Sequence, residues 1–259
     1  MTAEPTILEN LEKKLKETDF ETIVNRALRL QRLSPFKISS MSTLRIMDYC
    51  KEAEVSFING CFRSCIICSA IAVEQALKHT LIFLSEDWEE TYWEIEIRKL
   101  RFVDVIKKAQ NAKIVTLNGL VEDAHWLRNV RNEVAVHSLY VSNYFELNEL
   151  GQLELKETEQ LFWANKVMFR DIKKLLRFLD SKKRKEMEEE KMTKKDSQGK
   201  ILEEMRLKDF LKEPKFEVGN FILWFGLQNQ VVEEVAFEAY RKMVVIINNL
   251  LSKLNAENR

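Results

Sequence analysis

Gly60-Cys-Phe-Arg-Ser-Cys-Ile-Ile-Cys-Ser-Ala-Ile-Ala-Val-Glu74-Gln-Ala-Leu-Lys-His79-Thr-Leu81 is a run dominated by apolar and small side chains, with one carboxylate, Glu74. A helix this apolar has to be enclosed by other elements, so residues 60 to 84 are expected to be the central and most buried segment of the fold. A carboxylate left unpaired in such a place costs several kcal/mol. Glu74 is therefore either a buried acid satisfied by Arg128 or Arg131, with Arg131 the preferred partner, or a residue of the polar face.

The rest of the chain points the same way. Of 259 residues, 46% are hydrophobic, enough for a packed core. Glycines number six and prolines three, while Leu, Glu and Lys abound, which favours long helices over a strand-rich sandwich. The expected class is mainly α, an antiparallel helical bundle with small β-hairpin additions. The 41 basic and 41 acidic residues cancel, so a nucleic-acid surface has to be a local patch in a neutral field. The start, Met-Thr-Ala-Glu-Pro, lacks a basic segment followed by an apolar run, and no stretch reads as the roughly 18 apolar residues of a membrane span. A cytoplasmic protein without membrane contact is expected.

Four regions follow. Residues 1–40 hold an amphipathic helix over 6–32, closed by Ser34-Pro35. Residues 41–180 form the helical bundle, with helices at 41–58, 60–84, 101–111, 120–137 and 157–180, breaks at Asn59-Gly60 and Asn118-Gly119, and an ambiguous segment at 88–99. Within it, alternation over residues 144–155 around Gly151 predicts a β-hairpin. Residues 181–205 read as a charged linker or helix extension, because 181–200 carry eight basic and five acidic residues and little to bury. Residues 206–259 read as a second hairpin at 215–225, turning at Gly219-Asn220, and a C-terminal helix at 230–254 that packs on the bundle.

Candidate chemistry concentrates in Trp126-Leu-Arg-Asn-Val-Arg131-Asn132-Glu-Val-Ala-Val-His137-Ser138, which holds an Arg-Asn pair and one of the chain's three histidines. A guanidinium holds a phosphate or a developing oxyanion, an amide orients it, and an imidazole moves a proton near neutral pH. In a regular helix residues six apart are rotated by about 240°, so Arg131 and His137 share a face only where the helix ends or bends between them. The β-branched Val134 and Val136 mark one place for such an end; otherwise His137 is a hydrogen-bonded core histidine and Arg131 a structural ion-pair partner.

This segment resembles the signature of HEPN domains, an Arg followed by a polar residue and, a few positions on, a His. The run into Glu74-Gln-Ala-Leu is similar to an early helix of the same family, and the order of the two elements fits. The resemblance covers roughly residues 41 to 180. It implies a metal-independent endoribonuclease, often a toxin or defence effector, that works as a homodimer placing two Arg-His motifs across one cleft. Arg131, Asn132 and His137 would be the catalytic residues, with Glu74 and Arg128 supporting them. RNA or a nucleotide is then the partner, together with a cognate antitoxin or other defence partner, and no cofactor is called for. Other HEPN-like domains are catalytically silent modules for dimerisation, nucleotide binding or protein binding, and that alternative stays open.

Cys61, Cys65 and Cys68 match the three-cysteine spacing of radical enzymes that use S-adenosylmethionine and an iron–sulfur cluster. Their i, i+4, i+7 spacing also lines one stripe of the apolar helix, and the better reading is small buried side chains, reduced like Cys50. His79 and His125 read as surface or partly buried histidines. Asp104, Asp123 and the other carboxylates form no ligand cluster with histidine, so no metal is expected.

Overall fold

The structure is a computed structural model that describes residues 22–39, 44–84, 96–115, 118–141, 145–147, 153–155, 158–189, 191–195, 201–212 and 221–257. Its helices are α1 (22–33), α2 (Leu44–Ile58), α3 (Phe62–Phe83), α4 (Phe102–Asn111), α5 (Asn118–Val141), α6 (Thr158–Leu176), α7 (Ser181–Glu189), α8 (Leu207–Lys212) and α9 (Phe221–Glu257). Among the described residues they are accompanied by four short strands, β1 (Phe145–Leu147), β2 (Leu153–Leu155), β3 (Lys191–Lys195) and β4 (Ile201–Arg206). The protein is mainly helical. Residues 6–21 of the expected first helix and 88–95 of the ambiguous segment lie outside the described residues; 96–99 form a single helical turn.

The centre is α3, which packs against α2, α4, α5 and α9. Cys65, Ile66, Ala70, Ala72, Val73 and Leu77 are fully buried on it. Small side chains let neighbouring helices approach closely, and Leu77, Phe57 of α2 and Leu127 of α5 fill the volume between them. By length and composition Phe62–Phe83 is apolar enough to cross a membrane, which corrects the expectation that no stretch reaches that length. Enclosure by helices on several sides asks for the same apolar surface that lipid does.

Gly60 sets the angle between α2 and α3. Its φ of 78° is left-handed, and a Cβ there would lie 3.1 Å from Nη1 of Arg29. Arg29 in turn stacks its guanidinium 4.8 Å from the centre of the Phe62 ring and pairs with Glu233 of α9 at 3.4 Å, tying α1 to the start of α3. At the end of α4, Lys113 adopts a φ of 55°, its N–H donates to the Gln110 carbonyl at 3.0 Å, and the Ile114 N–H donates to the Ala109 carbonyl at 2.9 Å. This is a Schellman cap with lysine where glycine usually sits.

The C-terminal half corrects several expectations. Phe221–Phe225, expected as the second strand of a hairpin at 215–225, is the first turn and more of α9; residues 215–220 lie outside the described residues. Its Phe-Ile-Leu-Trp-Phe run has high strand propensity, but it is continuous with the helical pattern beyond it, and α9 packs along α3 and α6. The second strand pair lies in the charged 181–205 region instead: β3 pairs antiparallel with β4, Lys194 opposite Glu203 and Thr193 opposite Glu204. Opposite charges at facing positions stabilise a pair with little to bury. The region expected as a charged linker or helix extension holds helix α7 followed by this strand pair. Within 144–155, β1 pairs antiparallel with β2, Phe145 opposite Leu155. The break at Asn118-Gly119 is the first turn of α5 and not a separate turn.

Candidate functional site

The side chains that meet at the α3–α5 contact are Glu74, Lys78 and Arg131. Arg131 Nη1 donates to Glu74 Oε2 at 2.8 Å, and Lys78 Nζ donates to Glu74 Oε1 at 2.9 Å. Both carboxylate oxygens are therefore engaged. Lys78 Nζ also donates to the Arg98 carbonyl at 3.1 Å, and the Arg131 guanidinium lies 5.4 Å from the centre of the Phe102 ring. Two cations face one carboxylate, leaving a formal charge of +1 in the cluster. Lys78 is the more enclosed cation, its side chain 8% exposed against 24% for Arg131.

Arg131 is the partner Glu74 was expected to have. Lys78 was missed, although its signal was present: Glu74 and Lys78 stand at i and i+4 in a helix with few other charges, the spacing at which such pairs meet. Arg128 does not reach Glu74. Its Nη2 donates to Asn129 Oδ1 at 2.7 Å, and its buried Nε has no hydrogen-bond partner among the described residues. Asn132 is exposed.

The backbone of α5 runs unbroken through His137 to Val141, so the helix does not end between Arg131 and His137. Along one helix the two positions stand about 240° apart around the axis. The side chain of His137 lies outside the described residues. The helix is firmly held upstream of it: Trp126 Nε1 donates to the Phe178 carbonyl at 3.0 Å, and the two rings meet edge-on at 5.8 Å. Lys242 of α9 pairs with Asp123 and lies 5.3 Å from the Trp126 ring centre. Glu133, next to Asn132, pairs with Lys174 of α6 at 3.1 Å.

Two further polar regions escaped the sequence reading. Arg63, Glu133, Asp171 and Lys174 line a narrow slot between α3, α5 and α6. Burial lowers the Arg63 pKa, and the Asp171 carboxylate opposes that shift. A larger groove of about 510 Å³ is lined, among the described residues, by Tyr49, Gln75, His79 and Arg98. His79, expected at the surface or partly buried, is exposed within it.

The cysteines are not gathered into a ligand set. Cys61 is exposed at the start of α3, whereas Cys65 and Cys68 are buried, and Cys65 Sγ lies 3.7 Å from the Ala236 carbonyl as a hydrogen-bond donor. Burial pushes the Cys50 thiol up to about 12. Burial, then the charge and hydrogen bond of Glu52, push Cys68 up to about 11, so both are thiols at neutral pH. Among the described residues, no group of three or more His, Cys, Asp or Glu side chains is placed to hold a metal ion. Comparison with protein-family models, curated proteins and solved structures gives no match.

Proposed function

We propose that this chain is a HEPN-like helical protein of the cytoplasm that binds RNA and cleaves it without a metal, as a homodimer serving as a toxin or defence effector. The observation that carries this reading is the Glu74–Arg131 pair, which joins the two segments that bear the resemblance at one helix contact. Glu74 fixes one edge of the guanidinium. A guanidinium has five N–H donors, so holding one leaves others to meet the oxygens of a phosphodiester.

In the proposed reaction the ribose 2′-hydroxyl attacks the adjacent phosphorus and the 5′-oxygen of the next nucleotide leaves. His137 serves as general base for the 2′-hydroxyl or general acid for the leaving oxygen, Arg131 stabilises the charge that builds on the phosphoryl oxygens, and Asn132 orients the substrate. The products are a 2′,3′-cyclic phosphate and a 5′-hydroxyl. With Arg131 and His137 on different sides of one helix, the two copies of a dimer complete each other's site. The test is incubation of the purified chain with RNA in the presence of EDTA, followed by end-group analysis.

A second reading is favoured by the unbroken course of α5 through residues 131–137. In it the Arg131–Glu74 pair is structural and the chain is a catalytically silent module for dimerisation, nucleotide binding or protein binding. Intact RNA after incubation with well-folded protein selects it.

A further inference from the structure

We infer that the outer face of the α4–α5 hairpin, formed by Lys107, His125, Arg128, Asn129 and Asn132, is a track for the phosphodiester backbone of single-stranded RNA. This rests on the RNA binding proposed above, but not on cleavage by Arg131 and His137.

The track follows from the course of two helices. The Phe102 ring at the start of α4 lies 5.4 Å from the Arg131 guanidinium late in α5, and the end of α4 leads into the start of α5, so the two run antiparallel. From that contact Lys107 lies about 7.5 Å along α4 and His125 about 9 Å back along α5, which brings them to the same level of the hairpin. Along α5, His125, Arg128, Asn129 and Asn132 stand at i, i+3, i+4 and i+7 and share one face, while Ala124, Leu127 and Val130 are buried on the other. Lys107, Asn129 and Asn132 are exposed, and His125 and Arg128 are half-buried. Burial first, and then the charges of Arg128 and Lys107, lower the His125 pKa, as expected where cations gather without a carboxylate between them.

Arg128 differs from the arginines that hold the fold. Arg29, Arg32, Arg131 and Arg241 each pair with a carboxylate. Arg128 is held instead by an amide, its Nη2 donating to Asn129 Oδ1 at 2.7 Å, and its buried Nε has no hydrogen-bond partner among the described residues. An amide orients a guanidinium without neutralising it, so the full charge meets an incoming anion. The neighbouring acids are engaged with other cations: Asp104 with Arg101, Asp123 with Lys242 and Glu133 with Lys174. The exposed Glu122 bounds the track at its N-terminal end.

From His125 to Asn132 the row covers about 10 Å of helix. It lies on an open face, where an extended ligand with charge at regular intervals uses every member and a single phosphate would use only one or two. Cations and amides in such a row hold phosphate and sugar oxygens. The row ends at Asn132, next to Arg131, so a strand lying on it is led to the proposed site.

The experiment is fluorescence anisotropy of the full chain with a short 2′-O-methyl RNA, which has no free 2′-hydroxyl and so reports binding alone, at several salt concentrations. Arg128→Ala should weaken binding about ten-fold, the loss of a charge-assisted hydrogen bond, and Lys107→Ala about three-fold. Each should lower the slope of log affinity against log salt by about 0.7, the share of one phosphate contact on a single strand. Arg128→Lys should keep the slope and lose part of the affinity. Lys107→Ala removes an exposed side chain and tests the track without disturbing the fold. Lys212→Ala, an exposed cation of α8, should bind as the native chain does. If the native chain binds this RNA but Lys107→Ala and Arg128→Ala both behave as Lys212→Ala does, the track is overturned and binding at Arg131 stands. Absence of binding by the native chain overturns both. Displacement of the RNA by an oligoglutamate peptide as readily as by unlabelled RNA overturns the track as an RNA site and assigns the face to an acidic protein segment.

Discussion

Arg131 and Glu74, 57 positions apart in sequence, are joined by a hydrogen bond of 2.8 Å between side chains that are 24% and 14% exposed. Glu74 also holds Lys78, which is more deeply placed than Arg131 and pairs with no other carboxylate among the described residues. Removing one member of a buried ion pair costs most when the charge left behind is the one furthest from water.

Glu74→Ala, which leaves the Lys78 ammonium without its carboxylate, should therefore destabilise the chain by about 3 kcal/mol. Arg131→Ala leaves Glu74 still bonded to Lys78 and should cost less, about 1–2 kcal/mol. The double variant should show a coupling energy of roughly 1–2 kcal/mol, as residues in one network do. Urea unfolding of the four chains measures all three quantities. A larger loss for Arg131→Ala than for Glu74→Ala would show that Arg131, and not the carboxylate, is the hub.

Lys113 offers a stabilising change. It occupies the left-handed position of the cap that ends α4, where a side chain is strained by about 1 kcal/mol and glycine is not. The two hydrogen bonds of the cap join backbone atoms, and the Lys253 ammonium donates to the Lys113 carbonyl, so none of them uses the Lys113 side chain and all survive substitution. Lys113→Gly should raise the stability by roughly 0.5 kcal/mol after allowing for the extra freedom of glycine in the unfolded chain. Lys113→Val should instead lower it, because β-branching worsens the same strain.

What could be read from the residues divides along physical lines. The α3 segment was legible because most of its residues are apolar or small, which burial in the core explains. Glu74 and Arg131 were legible as a pair because an enclosed carboxylate demands a cation and few were in reach. Phe221–Phe225 was not, since Phe, Ile, Leu and Trp in succession suit a strand or a buried helix equally, and packing against α3 and α6 decides between them. The β3–β4 pair was hidden for the opposite reason: it has no alternation of apolar residues, and facing opposite charges such as Lys194 and Glu203 appear only when the register is known. The groove was invisible because Tyr49, Gln75, His79 and Arg98 come from three elements whose spacing the sequence does not encode locally.

His125, on the outer side of the motif helix, makes stability depend on pH near neutrality. Burial first, and then the charges of Arg128 and Lys107, hold its pKa below the ordinary value of 6.5. Above that value both folded and unfolded chains carry it neutral. As pH falls through about 6.5 the unfolded chain takes up a proton that the folded chain does not, so stability drops until the pH passes the lowered folded value. His125→Gln should remove that part of the decline. Comparing urea midpoints of the native and His125→Gln chains at pH 7.5 and 5.5 isolates it, since every other titrating group is common to both. An unchanged difference between the two chains at the two pH values would rule out the contribution.

The same correction is needed before any activity profile is assigned to His137. If His137 transfers a proton, His137→Ala should abolish RNA cleavage in the presence of EDTA and leave RNA affinity nearly unchanged, because a proton shuttle acts on the transition state more than on the bound substrate. Arg131→Ala should lose both cleavage and affinity, since it removes a phosphate contact, and the salt dependence of binding should become shallower by about one counterion. Arg131→Lys keeps the charge but not the flat fork of donors; it should recover part of the binding and little of the cleavage. Each variant is compared at a pH and temperature where circular dichroism shows it folded, which the partial loss of stability expected for Arg131→Ala makes necessary. Cleavage at the native rate by folded His137→Ala would remove this chain from the nucleases and leave Arg131 as the structural partner of Glu74.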